Sequence, residues 1–85
     1  MQTKSFIKDW KRLKLSDKHF TKYIQFLGLL LDSKELPKEA NDHSLKGEWI
    51  DFRELHVSGD LLLIYQIEKS HIKLVRIGSH SQLFK

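Results

Sequence analysis

Residues 47–77, GEWIDFRELHVSGDLLLIYQIEKSHIKLVRI, decide the fold. Here the apolar period is two rather than 3.6, and β-branched and aromatic residues dominate. Three strands are predicted: Glu48 to Val57, rich in Trp, Ile, Phe and Val; Asp60 to Glu68; and His71 to Ile77, where Ile72 and Leu74 alternate with Lys73 and Val75. Ser58-Gly59 and Lys69-Ser70 join them over hairpin lengths, so the pairing is expected to be antiparallel. Leu61 to Ile64 is apolar on both pleat faces, which suits the middle strand of three. Gly78 is expected to break the last strand, and Ser79 followed by Gln82 reads as a capping box opening a short terminal turn.

Upstream of Gly47 the period is helical. From Thr3 to Leu15, Phe6, Trp10 and Leu13 form one stripe of a helix whose other sides carry lysines. Ser16 or Asp17 then caps a second helix, whose Phe20, Tyr23, Ile24, Leu27, Leu30 and Leu31 keep the clearest helical period in the chain. The short connection predicts a helical hairpin. Leu36-Pro37 ends the pattern, and Asp32 to Asn41 reads as a loop. The expected fold is α+β: an N-terminal helical hairpin on one face of a small antiparallel sheet of three strands, or four, closed by a short C-terminal helical turn.

Composition sets the limits. Eighty-five residues form a single domain, 1–85, with one modest core. With no cysteine there are no disulfides, zinc fingers, iron–sulfur clusters or thiol nucleophiles. The apolar runs fall far short of the ~20 residues that span a bilayer, and Met1 is followed by polar residues rather than a signal-peptide core. The expectation is a cytoplasmic protein without a membrane partner. The net charge of +4 is unevenly placed: residues 1–23 hold seven bases against Asp9 and Asp17, while the remainder is slightly acidic. That basic segment, with Lys8, Lys11, Arg12 and Lys14, is either a polyanion footprint or a solvated helix face.

Some polar residues do not fit a scaffold. His56 lies near the end of the first predicted strand, Asp60 opens the second, and Arg76 and His80 lie at the end of the third. Antiparallel order brings all four to one end of the sheet, with His43 just before the first strand and Phe84 four residues after His80. Histidine takes and gives a proton near neutral pH. Arginine offers a fork suited to phosphate, and RNA carries its own nucleophile, the 2′-OH. One base, one acid and one cation suffice for RNA cleavage without metal or cofactor, and Phe84 is placed to stack on an unpaired base. Plainer readings stand beside this: loop histidines in solvent, Asp60 as a turn residue, Arg76 paired with Glu54, Phe84 as a core anchor. His43, His56, His80 and Asp60 also make a plausible zinc shell, but their spacings of 13, 4 and 20 residues match no ligand motif, and neither metal nor cofactor is assigned.

Three ordered blocks then carry a resemblance. Asp42-His43-Ser44-Leu45-Lys46-Gly47-Glu48-Trp49, Phe52-Arg53-Glu54-Leu55-His56-Val57-Ser58-Gly59-Asp60-Leu61-Leu62-Leu63-Ile64-Tyr65 and Leu74-Val75-Arg76-Ile77-Gly78-Ser79-His80-Ser81-Gln82-Leu83-Phe84 resemble the YafQ branch of the RelE/ParE toxin superfamily. Phe6-x-Lys8-Asp9 is similar to the family's first helix. The resemblance implies a toxin of a type II toxin–antitoxin system: a metal-independent endoribonuclease, an mRNA interferase, that enters the ribosomal A site and cuts the codon there.

Carried over by motif, His80 would donate the proton to the leaving 5′-oxygen. His56, Asp60 or His43 would assist deprotonation of the 2′-OH, Arg76 would stabilise the phosphate, and Phe84 would contact substrate. Lys8, Lys11, Arg12 and Lys14 would dock on ribosomal RNA. The implied partner is a DinJ/RelB-like antitoxin with a ribbon–helix–helix N-terminus, and operator DNA would be met only through that complex. A ParE-like gyrase poison and a decayed toxin that only binds antitoxin or operator are the alternatives. Two departures from the family pattern are Leu61, where a Trp often stands, and only Met1 to Thr3 in place of a strand before the first helix.

Overall fold

The computed structural model describes residues 1–69 and 71–84. Helix α1 spans Lys4–Arg12 and starts where the Thr3 hydroxyl accepts the Phe6 amide at 3.0 Å. Helix α2 spans Asp17–Leu31 and is capped by Ser16, whose hydroxyl accepts the His19 amide at 3.2 Å. These side chains satisfy amides that a helix start leaves without partners. Between Pro37 and Asn41 the loop holds one 3-10 turn, Lys38–Ala40.

Four antiparallel strands follow: β1, His43–Ser44; β2, Arg53–Ser58; β3, Leu61–Glu68; and β4, His71–Ser79, in spatial order β1-β2-β3-β4. Strand β3, apolar on both faces, lies between β2 and β4 as expected. Helix α3, His80–Leu83, closes the chain. The first expected strand is shorter than its sequence suggests, because Gly47, at φ 68°, turns the chain into a 3-10 turn over Gly47–Trp49. Pairing with β3 begins only at Arg53. The fourth strand is β1, in register His43↔Glu54 and Ser44↔Arg53; two residues are too few to display a period. Ser70, half of the second predicted hairpin connection, lies outside the described residues, while its neighbour Lys69 is left-handed at φ 51°.

Met1 to Thr3 run along the outer edge of β4. The Leu74 amide donates to the Met1 carbonyl at 2.8 Å and the Thr3 amide to the Leu74 carbonyl at 3.0 Å, a single parallel bridge that covers part of an otherwise open edge. Gly78 does not end β4. A Cβ there would lie 2.8 Å from Gln82 Oε1 and 3.4 Å from Leu83 Cδ2, so glycine lets α3 fold back onto the strand. The predicted capping box forms: the Ser79 hydroxyl accepts the Gln82 amide at 3.3 Å, and Gln82 Oε1 accepts the Ser79 amide at 2.8 Å.

Two bulges set which side chains share a face. The register steps from His56↔Leu62 to Ser58↔Leu61, leaving Val57 unpaired, and from Ile64↔Arg76 to Tyr65↔Leu74, leaving Val75 unpaired. On the helix side, Leu55, Val57, Leu61, Leu63, Tyr65, Leu74 and Ile77 pack with Phe6, Tyr23, Phe26 and Ala40. Helix α1 lies against β4 and α2 against β2. Helix α2 buries Tyr23 and Phe26 rather than the whole predicted stripe, leaving Phe20, Ile24 and Leu31 exposed. The predicted stripe was wider than one buried face, and Phe26 rotates the contact. The opposite face keeps only a small second core, Leu62, Ile64 and Leu83, flanked by Leu45, Trp49, Phe52, Val75 and Phe84.

Candidate active site

The face of the sheet turned away from α1 and α2 carries the candidate chemistry. Directly paired strand residues share a face, so the rows His43↔Glu54↔Ile64 and His56↔Leu62↔Gly78 place His43, Glu54 and His56 opposite the helices. Glu54 is buried at 6% exposure, and its Oε2 lies 2.9 Å from His43 Nε2 and 4.0 Å from His56 Nε2. The other oxygen, Oε1, is buried with no hydrogen-bond partner. Both imidazoles stay accessible, with 44% and 38% of their side chains exposed.

His80 occupies the end of the same face. It begins α3 two residues beyond Gly78, which lies two strand spacings, about 10 Å, from His56. Its amide donates to Asp60 Oδ1 at 3.4 Å, so the first hairpin turn and the start of α3 meet as the topology predicts. Its ring packs 5.1 Å from Phe84; Phe84 lies 5.7 Å edge-on to Trp49, and Trp49 5.4 Å from Phe52. Phe84 is therefore both anchor and wall: half-buried against the small core, with a histidine on its accessible side.

Arg76 stands in the His43–Glu54–Ile64 row, but its guanidinium turns to α1 and not to Glu54. Nε and Nη2 donate to the two oxygens of Asp9 at 2.7 and 3.0 Å, and the Ile77 amide donates to Asp9 Oδ2 at 3.1 Å. Burial pushes the Asp9 carboxyl upward, yet the Arg76 and Ile77 hydrogen bonds and the charges of Arg76 and Arg12 outweigh it and hold it below the ordinary carboxylate value. The bond to Asp9 in turn raises Arg76, against the opposing effect of burial. Lys8, Lys11, Arg12 and Lys14 are all exposed.

A third polar network lies at the far end of the sheet. Arg53 donates to Asp42 Oδ2 at 3.1 Å, and the Tyr65 hydroxyl donates to Asp42 Oδ1. Burial, reinforced by Asp42, pushes the Tyr65 phenol up to about 12. This network borders a cleft of 820 Å³ lined also by Lys34, Pro37 and His71, away from the candidate catalytic side chains.

Sequence reasoning missed two carboxylates. Glu54 shares the pleat face of His56 by the period of two, and Asp9 follows Phe6 by three residues on the buried stripe of α1. Both signals were present in the spacing. Among the described residues, His43, Glu54 and His56 are the group whose donor atoms lie close enough for a metal, all within 4.8 Å. It differs from the His43, His56, His80 and Asp60 shell weighed from sequence.

A family model described as a bacterial toxin of type II toxin–antitoxin system, YafQ, matches residues 1–85. The chain belongs to the YafQ toxin family. A YafQ toxin of Haemophilus influenzae is 42% identical over 66 residues, 73% of this chain and 65% of that protein, just under two thirds of its length. The mRNA interferase toxin YafQ of Escherichia coli K12 is 32% identical over 93% of this chain and 87% of its own. Among solved structures, the E. coli DinJ–YafQ complex contains a chain matched at TM-score 0.84 and 30% identity, covering 99% of this chain and 94% of that one. A metal-bound toxin from Helicobacter pylori is matched at TM-score 0.81 and 39% identity, covering 98% and 94%. The α+β architecture of this YafQ-family chain is that of the solved toxins, and no helix among its described residues is long and apolar enough to cross a membrane.

Proposed function

We propose that this YafQ-family toxin is an mRNA interferase, an endoribonuclease that cleaves message in the ribosomal A site and is held inactive by a DinJ-like antitoxin. The observation that carries the reading is the uncovered sheet face, where two accessible histidines flank a buried carboxylate and a third histidine stands against an aromatic wall. His56 or His43, oriented by Glu54, or else Asp60, takes the proton of the 2′-OH. The 2′-oxygen bonds to phosphorus, the bond to the 5′-oxygen breaks, and His80 returns a proton to that oxygen. The products are a 2′,3′-cyclic phosphate and a 5′-OH, and this route requires no metal.

Arg76 reaches the phosphate with the part of its fork that Asp9 leaves free, and Phe84 with Trp49 offers stacking surface to an unpaired base. The exposed bases of α1 and its turn meet ribosomal RNA, which makes association salt-sensitive. Cleavage of free RNA should be weak, because the ribosome supplies the positioning. Primer extension on total mRNA after induction tests the proposal. Codon-phased cuts that disappear in His80→Gln support it; DNA breaks without cuts would instead indicate a gyrase poison. Reversing Lys8, Lys11 and Arg12 should weaken ribosome affinity and flatten its salt dependence.

A further inference from the structure

We infer that the cleft at the far end of the sheet is a second ligand site, one that takes a mononucleotide: phosphate on Arg53 and the rim lysines, base between the apolar walls. The inference is independent of the cleavage reaction proposed above, because no candidate catalytic side chain lines the cleft. Its 820 Å³ falls within the range of about 300–1,000 Å³ usual for small-molecule sites.

The floor of the cleft is fixed by a buried network. Tyr65, only 1% exposed, donates its hydroxyl to Asp42 Oδ1 and accepts from Arg53 Nε at 3.3 Å, while Arg53 Nη2 donates to Asp42 Oδ2 at 3.1 Å. A phenol and a carboxylate thus hold the guanidinium in one orientation, and Nη1 has no protein partner among the described residues. A guanidinium clamped through some of its nitrogens with another left over is preorganised for an anion.

Charge at the rim is unbalanced. Asp42 is committed to Arg53, so Lys34, Lys38 and Lys69 face Glu35 as the remaining carboxylate of the lining, an excess of two positive charges. Among the described residues none of the three lysines enters an ion pair. A phosphate monoester, at about −1.5 to −2 near neutral pH, matches that excess where a single carboxylate does not. The walls are apolar: Leu36 and Pro37 on the loop, Ile67 and Ile72 on the sheet. Ile67 is 56% exposed, so a flat base entering here removes from water an apolar surface that the fold itself leaves uncovered.

Three reversals of the chain bend it around this space. Ser33 after α2, Asn41 after the 3-10 turn and Lys69 between β3 and β4 have φ of 55°, 45° and 51°, and among the described residues they are the non-glycine positions in the left-handed region. All three line the cleft. Left-handed backbone is unfavourable for residues that carry a Cβ, and it persists where the surrounding structure needs that shape, as at ligand clamps.

Titration of AMP into the isotope-labelled full chain, followed by amide chemical shifts, tests the site. Saturable shifts are expected at Lys34, Arg53, Ile67 and Lys69, with a dissociation constant below about 1 mM. Lys34→Glu and Lys69→Glu, both at exposed positions that tolerate substitution, should each weaken AMP by about fivefold or more, while Lys18→Glu, exposed on α2 outside the cleft, leaves it unchanged. Ile67→Ser should weaken AMP yet leave inorganic phosphate unaffected. Adenosine and inorganic phosphate should each bind about tenfold or more below AMP, because each uses half of the cleft. Absence of saturable shifts, or equal weakening by Lys18→Glu, overturns the site. Inorganic phosphate that binds as tightly as AMP overturns the role of the apolar walls. A short oligoribonucleotide that binds tighter than AMP and is weakened by Lys34→Glu would assign the cleft to an RNA backbone and overturn the mononucleotide.

Discussion

Among the described residues two carboxylates are buried, Asp9 and Glu54, and their surroundings differ completely. Asp9, on the inner side of α1, receives three hydrogen bonds from β4, two from the Arg76 fork and one from the Ile77 amide. Glu54, on the open face, has one oxygen beside two half-exposed imidazoles and the other without any partner. A satisfied buried charge fixes neighbours in one arrangement; an unsatisfied one remains available to a proton, a substrate or a cation. The first therefore belongs to the scaffold, fastening α1 to β4. The second belongs to the chemistry, and the fold tolerates it on the face that α1 and α2 leave open.

The comparison predicts that substitutions separate stability from activity by region. His80→Gln on the open face is the largest expected effect: a loss of 10²–10⁴ in cleavage rate, typical of a missing general acid, with stability within about 0.5 kcal/mol because the residue is exposed. Single-turnover cleavage on programmed ribosomes alongside urea unfolding reads both. A variant that unfolds early yet cleaves normally would erase the distinction.

Asp9→Ala is the reciprocal break. It strands Arg76 and should cost about 3 kcal/mol in urea unfolding, the low end for a buried pair because Arg76 keeps 27% of its side chain exposed. The acid limb supplies the sign. A carboxyl depressed below 3.8 contributes stability that is complete above that pH and lost as pH falls through the folded-state value. The gap between wild type and variant should therefore narrow only below about pH 4. A gap that stays constant down to pH 2 would show that Asp9 acts by packing alone.

Much of this was legible in the sequence. The period of two found β3 and β4 within two residues at either end, the capping box at Ser79 formed, and hairpin order placed Asp60 beside His80. What escaped depended on long-range contact. β1 has only two residues and exists because Glu54 and Arg53 offer it an edge. Arg76 chose Asp9 over Glu54 because the register places α1 against β4, a packing choice that local spacing does not encode. The exposure of Phe20, Ile24 and Leu31 on α2 likewise followed from which side of the helix met β2.

The far end of the sheet offers an intermediate case, a polar network that is satisfied yet accessible. With Tyr65 pushed up to about 12 and burial also raising Tyr23, neither tyrosine should ionise near the ordinary value of 10. A phenol raised in the folded state contributes stability that is intact below pH 10 and lost as pH climbs through about 12. Ultraviolet titration at rising pH should show tyrosinate appearing together with unfolding. Asp42→Asn should move the Tyr65 transition downward, because the carboxylate that opposes phenolate formation is gone. An unchanged titration would mean that burial alone sets it.

A smaller shift in stability than that of Asp9→Ala is expected at Glu54, and it discriminates best. Glu54→Gln keeps the volume but removes a buried carboxylate whose Oε1 has no partner, so the altered contact with His43 and the relieved desolvation nearly cancel. Urea unfolding should place the variant within about 1 kcal/mol of wild type, on either side, while cleavage falls as His43 and His56 lose the group that orients them. A loss approaching that of Asp9→Ala would mean that both carboxylates serve the scaffold, and that the open face holds its charge for stability rather than chemistry.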